Sequence, residues 1–152
     1  MQVGMSKQGQ ELVAKSLEAL LADTYTLYLK TQNAHWNYVG KEFYSIHLLL
    51  EQQYQEMAEA VDEIAERVRA LGFFVAASFS AFQKKSTLDI SEREIPPSEM
   101  IEDLITGHEK VICHARKLCQ VAENEKDGAS VDLLGRRLGT HEKFLWMLKN
   151  YL

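Results

Sequence analysis

The sequence predicts an all-α fold, a bundle of four long helices with one long crossover between the second and the third. Two observations carry this: apolar residues recur at three-and-four spacing through four long segments, and the interruptions, such as Gly40, Gly72 and the adjacent Pro96 and Pro97, fall where those segments stop. The first helix is expected from about Gln8 to Trp36, with Val13, Leu17, Leu20, Thr24, Leu27 and Thr31 on its stripe, and it stops at the turn composition Asn37-Tyr38-Val39-Gly40. The second runs from about Phe43 to Leu71 on Phe43, Ile46, Leu50, Tyr54, Met57, Val61, Ile64, Val68 and Leu71, with Gly72 as its C-terminal stop. Between Phe73 and Pro97 the rhythm breaks, as in a crossover that carries a short extra helix. Ser98 is the expected N-cap of the third long helix, whose stripe includes Ile101, Leu104, His108, Val111, Ala115 and Leu118. Ser130 is the expected N-cap of the fourth, with Leu134, Leu138, His141, Leu145 and Leu148 facing inward. One domain is expected over 1–152, with 1–8 as a short N-terminal tail.

Composition removes several function classes. With 17 Lys+Arg against 22 Asp+Glu the formal net charge is -5, which argues against a surface that is cationic throughout. No segment reaches the ~20 continuous apolar residues of a membrane helix, and the first ten residues lack a secretory pattern, so a cytoplasmic protein is expected. Cys113 and Cys119 are spaced like neither a CxxC redox pair nor a zinc knuckle and are read as reduced.

The chemistry concentrates on the second helix. No glutamate has a histidine three residues later, so the Glu-x-x-His pattern of metal sites inside a bundle is absent. Instead His47, Glu51, Asp62 and Glu66 fall within about 100° of arc, centred roughly 125° from the apolar stripe, and His35 lies at the end of the preceding helix. Glu51 and Asp62 are roughly 16 Å apart along the axis, so one chain cannot bring all four to one ion. Positions 47 and 66, and positions 51 and 62, are each symmetric about a point between Glu56 and Met57. Two copies of this helix crossing antiparallel there would bring His47 and Glu51 of one to Glu66 and Asp62 of the other, creating two sites per dimer. The mixed imidazole and carboxylate set suits iron or another divalent transition metal. The plainer reading is an i,i+4 pair of His47 with Glu51, surface ion pairs from Asp62 and Glu66, and a His35 that packs beside Trp36.

The series His35-Trp36-Asn37-x-x-Gly40-x-x-Phe43-x-x-x-His47, then Glu51, then Asp62-x-x-Ala65-Glu66-Arg67, resembles the Dps miniferritins of the ferritin-like superfamily. The likeness extends through Ala70-Leu71-Gly72 and into the segments at Asp132 and His141. The resemblance implies a ferritin-like four-helix subunit, a hollow homododecamer built from two-fold dimers, and ferroxidase centres at the dimer interfaces. It implies that His35, His47 and Glu51 from one subunit and Asp62 and Glu66 from its partner are both metal ligands and catalytic residues of a two-metal iron centre. Glu51 departs from the family, which commonly has Asp there. The implied activity is an iron-oxidising and iron-storing one: Fe(II) is oxidised to Fe(III), with hydrogen peroxide preferred over dioxygen, and the ferric product is held in the shell, protecting against oxidative damage. The alternatives are a DNA-compacting architectural protein and a metal-free helical interaction module.

Trp36, beside His35, is a candidate for quenching radicals, and Tyr54, on the apolar stripe, is read as a core residue. In the resemblance the acidic stretch from Glu123 to Asp132 borders a three-fold pore, making Asp127 and Asp132 pore candidates, while the dipole of the fourth helix offers Asp132 another role. His108 and His141 are expected to be hydrogen-bonded core histidines, and His114 to lie on an exposed side. Only Lys7 is basic in the first ten residues, so tight direct DNA binding at physiological salt is not expected.

Overall fold

The computed structural model describes residues 4–152. Its helices are α1 (Lys7–Asn37), α2 (Phe43–Ala70), α3 (Phe79–Lys85), α4 (Pro97–Asn124) and α5 (Gly128–Lys149). Residues 1–3 of the expected tail lie outside the described residues, and Lys7 and Gln8 already belong to α1, which Ser6 caps by accepting from the Gly9 N–H.

The four long helices pack as α1 on α2, α4 on α5, α1 on α4 and α2 on α5, while α3 rests on α1. Leu17, Leu20, Leu27, Leu50, Met57, Ile64, Leu104, Leu118 and Leu134 lie in the shared core, each 2% exposed or less. The thread of threonines in the α1 stripe costs little, because Thr24 and Thr31 donate to the carbonyls four residues back at 2.8 Å. α1 and α4 approach closely at Gly107, where an added Cβ would lie 2.6 Å from Leu27 Cδ1.

α2 ends as its glycine predicts. Gly72 takes φ +95°, its N–H donates to Arg69 O, and the Phe73 N–H reaches back to Val68 O, which closes a Schellman motif. The two other expected caps are displaced. Pro96 rather than Ser98 is the N-cap of α4, because Pro97 at the first helical position has no N–H to lose and its ring already holds a helical φ. Asp127 rather than Ser130 caps α5: its carboxylate accepts from the Ser130 N–H at 3.1 Å and from the Ser130 hydroxyl at 2.6 Å.

The crossover is fastened to the bundle by one buried carboxylate. Asp23 of α1 accepts from Ser86 Oγ, Thr87 N, Thr87 Oγ1 and His114 Nδ1, all between 2.6 and 3.0 Å. Burial alone would raise its pKa, but the bonds from His114, Thr87 and Ser86 outweigh that and hold it below the usual value. His114 is therefore a partner of a buried acid, with a quarter of its side chain exposed, rather than a free surface residue.

Candidate metal centre

The link of residues 38–42 turns the chain back so that the last turn of α1 faces the second turn of α2. Tyr38 closes α1 by donating to Ala34 O at 2.8 Å, and Gly40 takes φ +153°, which a side chain would strain. His35 and His47 are thereby stacked, with ring centroids 3.7 Å apart and planes 18° apart.

The two residues fix each other's tautomer. His35 Nδ1 lies 2.9 Å from His47 O, and His47 Nδ1 lies 3.1 Å from His35 O. A carbonyl only accepts, so in each ring Nδ1 carries the hydrogen and the neutral ring keeps its lone pair on Nε2. His35 O is among the last four carbonyls of α1, which the helix itself leaves without a partner. A backbone carbonyl on Nδ1 is also the usual outer partner of a histidine that binds metal through its other nitrogen. His35 is 7% exposed, His47 is half-buried, the Tyr54 ring stands edge-on to His35 at 5.1 Å, and Phe43 leans on His47 at 5.2 Å.

The carboxylates are placed differently. Glu51, one turn beyond His47, is half-buried, whereas Asp62 and Glu66 are exposed far along α2. The ion pairs that α2 makes with α5 and its N-cap use Glu56, Glu63 and Arg67. Glu51, Asp62 and Glu66 stand on the other side of the helix, outside those pairs. Among the described residues no group of three or more His, Cys, Asp or Glu is close enough to hold a metal ion. The single chain thus brings the two histidines together and leaves Asp62 and Glu66 apart from them. The donor types fit iron: the histidines offer two neutral nitrogens, and the carboxylates of Glu51, Asp62 and Glu66 have no ion-pair partner among the described residues.

Tyr54 is only half-buried, and its contact with His35 was hidden in the sequence because a stripe position reads as core. Trp36 is 63% exposed. Of the two pore candidates, Asp127 is bound within its own chain. Its carboxylate is 3% exposed and held by Arg67 at 2.7 Å as well as by Ser130. Burial alone would raise its pKa, but the bonds from Arg67 and Ser130 outweigh that and hold it below the usual value, as for an ionised cap. Asp132 is exposed and pairs with Arg136 one turn on at 3.1 Å.

A ferritin-like domain model matches residues 14–152. DNA protection during starvation protein 2 of Bacillus anthracis is 30% identical, the match covering 97% of this chain and 99% of that protein. This chain belongs to the Dps family of ferritin-like proteins. An uncharacterised low-temperature-induced protein of Nostoc is 33% identical over 99% of this Dps chain and 85% of its own length. Among solved structures, this Dps chain superposes on the Dps protein of Vibrio cholerae with a TM-score of 0.93 at 26% identity, covering 99% of this chain and 95% of that one. That protein is described as a member of a broad superfamily of ferritin-like diiron-carboxylate proteins. The Dps of Thermosynechococcus elongatus gives 0.91 at 30% identity, covering 95% and 92%. No helix among the described residues of this Dps is long and apolar enough to cross a membrane.

Proposed function

We propose that this Dps protein is a ferroxidase-type oxidoreductase that oxidises Fe(II), preferably with hydrogen peroxide, and stores the ferric product inside a hollow homododecamer. Fe(II) is the substrate. The observation that carries the reading is the reciprocal His35 and His47 pair, whose Nε2 lone pairs are left for a metal while the matching carboxylates lie elsewhere on the same helix. Two copies related by a two-fold axis near Glu56 and Met57 would complete two centres, each with His35, His47 and Glu51 from one copy and Asp62 and Glu66 from the other. Imidazole holds Fe(II) and carboxylates favour Fe(III), so the donor set drives the oxidation forward. Using peroxide on iron in one place protects the surroundings from oxidative damage.

The test is anaerobic addition of Fe(II) to the assembled protein, then limiting hydrogen peroxide, with ferric absorbance followed for wild type, His47→Ala and Asp62→Ala. Each variant alone is expected to lose most of the rate. Mixed subunits of the two variants, unfolded and reassembled together, are expected to regain part of it, because a dimer of one each keeps one intact centre. Wild-type oxidation no faster than buffer would sink the proposal, and absence of regained activity would sink the shared centre.

A further inference from the structure

From the candidate centre a line of aromatic rings leads away through the subunit. His35 meets Tyr54 edge-on at 5.1 Å, Tyr54 meets Tyr28 at 6.2 Å, Tyr28 meets Tyr25 at 5.7 Å, and Tyr25 stacks on Phe82 at 4.8 Å. Every step is within the range of direct aromatic contact. Three of the six tyrosines of the chain are in this line. All three are half-buried, which screens them from bulk reactants while leaving their rings touching. Gln32 Nε2 donates to the Tyr28 hydroxyl at 3.1 Å, a bond that a phenoxyl oxygen, which only accepts, would keep after losing its hydrogen.

The far end of the line is as informative as its start. Tyr25 lines a groove of about 360 Å³ together with Val61 and Ala65 of α2. Those two residues flank Asp62 and Glu66, the carboxylates that would complete the other centre of a two-fold dimer. The line therefore begins at His35 and ends at a groove whose α2 wall, Val61 and Ala65, immediately precedes Asp62 and Glu66 in the chain.

We propose that Tyr54, Tyr28 and Tyr25 form a redox relay that couples the two iron centres of a dimer, an inference that rests on the ferroxidase reading above. When a centre holds a single Fe(II), reduction of hydrogen peroxide to water needs one more electron than that ion gives. Tyr54 supplies it: Fe(II), hydrogen peroxide, the Tyr54 phenol and one proton become Fe(III), the Tyr54 phenoxyl radical and two water molecules. The O–O bond breaks, and both oxygens leave as water with no hydroxyl radical released. The hole passes to Tyr28 and then Tyr25, each phenol giving up an electron and a proton while the tyrosine before it regains both. At Tyr25 the radical takes an electron from Fe(II) in the neighbouring centre and a proton from solvent, restoring the phenol and leaving a second Fe(III). The sum is two Fe(II), one hydrogen peroxide and two protons giving two Fe(III) and two water molecules.

The experiment uses the assembled full-length protein with one Fe(II) per two centres, one equivalent of hydrogen peroxide, freeze-quenched electron paramagnetic resonance and a spin trap for hydroxyl radical. Wild type is expected to show a tyrosyl signal, little trapped hydroxyl radical, and loss of the signal when more Fe(II) is added. Tyr54→Phe, which keeps the ring, is expected to lose that signal and to release several-fold more hydroxyl radical, yet to oxidise iron normally when fully loaded. Tyr25→Phe is expected to form the radical but to discharge it more slowly on adding Fe(II). An unchanged signal and unchanged trapping in Tyr54→Phe, with iron oxidised at the full rate, overturns the relay alone. Unchanged discharge in Tyr25→Phe overturns the coupling of centres. Failure of wild type to oxidise iron overturns the ferroxidase reading and the relay with it.

Discussion

The chain contains two pairs of touching histidines, and they are built to opposite ends. His35 and His47 each give the Nδ1 hydrogen to the other's backbone carbonyl, so both rings turn an Nε2 lone pair away from the contact. His108 and His141 lie inside the bundle, 0% and 1% exposed, with their Nδ1 atoms 2.9 Å apart. Arg137 donates to His141 Nε2 at 3.2 Å and forms an ion pair with Glu56 through the same guanidinium. Since arginine only donates, the hydrogen of neutral His141 is on Nδ1, which donates to His108 Nδ1 and leaves the His108 hydrogen on Nε2. The inner pair thus spends its lone pairs on protein partners. What makes a histidine available to a metal is where its other nitrogen is tied, not its proximity to another histidine.

The strongest way to break this contrast is to remove one member of each pair. His47→Ala is expected to cost at least about tenfold in Fe(II) oxidation while leaving the unfolding midpoint nearly unchanged, read by ferric absorbance and thermal denaturation. His141→Ala is expected to do the reverse, losing about 3 kcal/mol of stability because it opens a cavity and leaves Arg137 and His108 without partners, with oxidation per folded molecule retained.

Acid sharpens the contrast further. Burial, aided by the Arg137 charge, pushes His108 down to about 3, and burial with the charges of His108 and Arg137 holds His141 well below its usual 6.5. Both groups have folded values below their unfolded ones, so the unfolded chain binds more protons as pH falls. The stability held at neutral pH is therefore lost progressively below about pH 6.5, at up to roughly 1.4 kcal/mol per pH unit for each group. Chemical denaturation at a series of pH values checks this, and His108→Gln should flatten the slope. A slope unchanged by that substitution would mean other groups control acid unfolding.

The smallest effect separates the two acidic candidates of the α5 start. Asp127→Ala is expected to lower stability by about 1 kcal/mol or somewhat more, since it removes both a cap and the Arg67 ion pair. Asp132→Asn, at an exposed i,i+4 pair, should change stability by less than about 0.5 kcal/mol. If Asp132 borders a pore, its substitution should instead slow iron uptake, measured as ferric mineral formed over time.

Four helices, their faces and the stop at Gly72 were legible in the sequence, because periodicity and a left-handed glycine are local properties that the chain carries with it. The caps of α4 and α5 were misplaced by two and three residues, since Ser98 and Ser130 also match the cap preference and Pro97 geometry and the Arg67 contact decide the outcome. The sequence also determined which residues offer metal donors, and the symmetric spacing of 47 with 66 and 51 with 62 is fixed by helix geometry alone. Tertiary structure decided the rest: the hydrogen on each histidine nitrogen, the burial of Asp127 and Asp23, and the line of tyrosines. Those depend on contacts between helices distant in sequence, whose approach is set by packing of the whole core, and no local pattern records it.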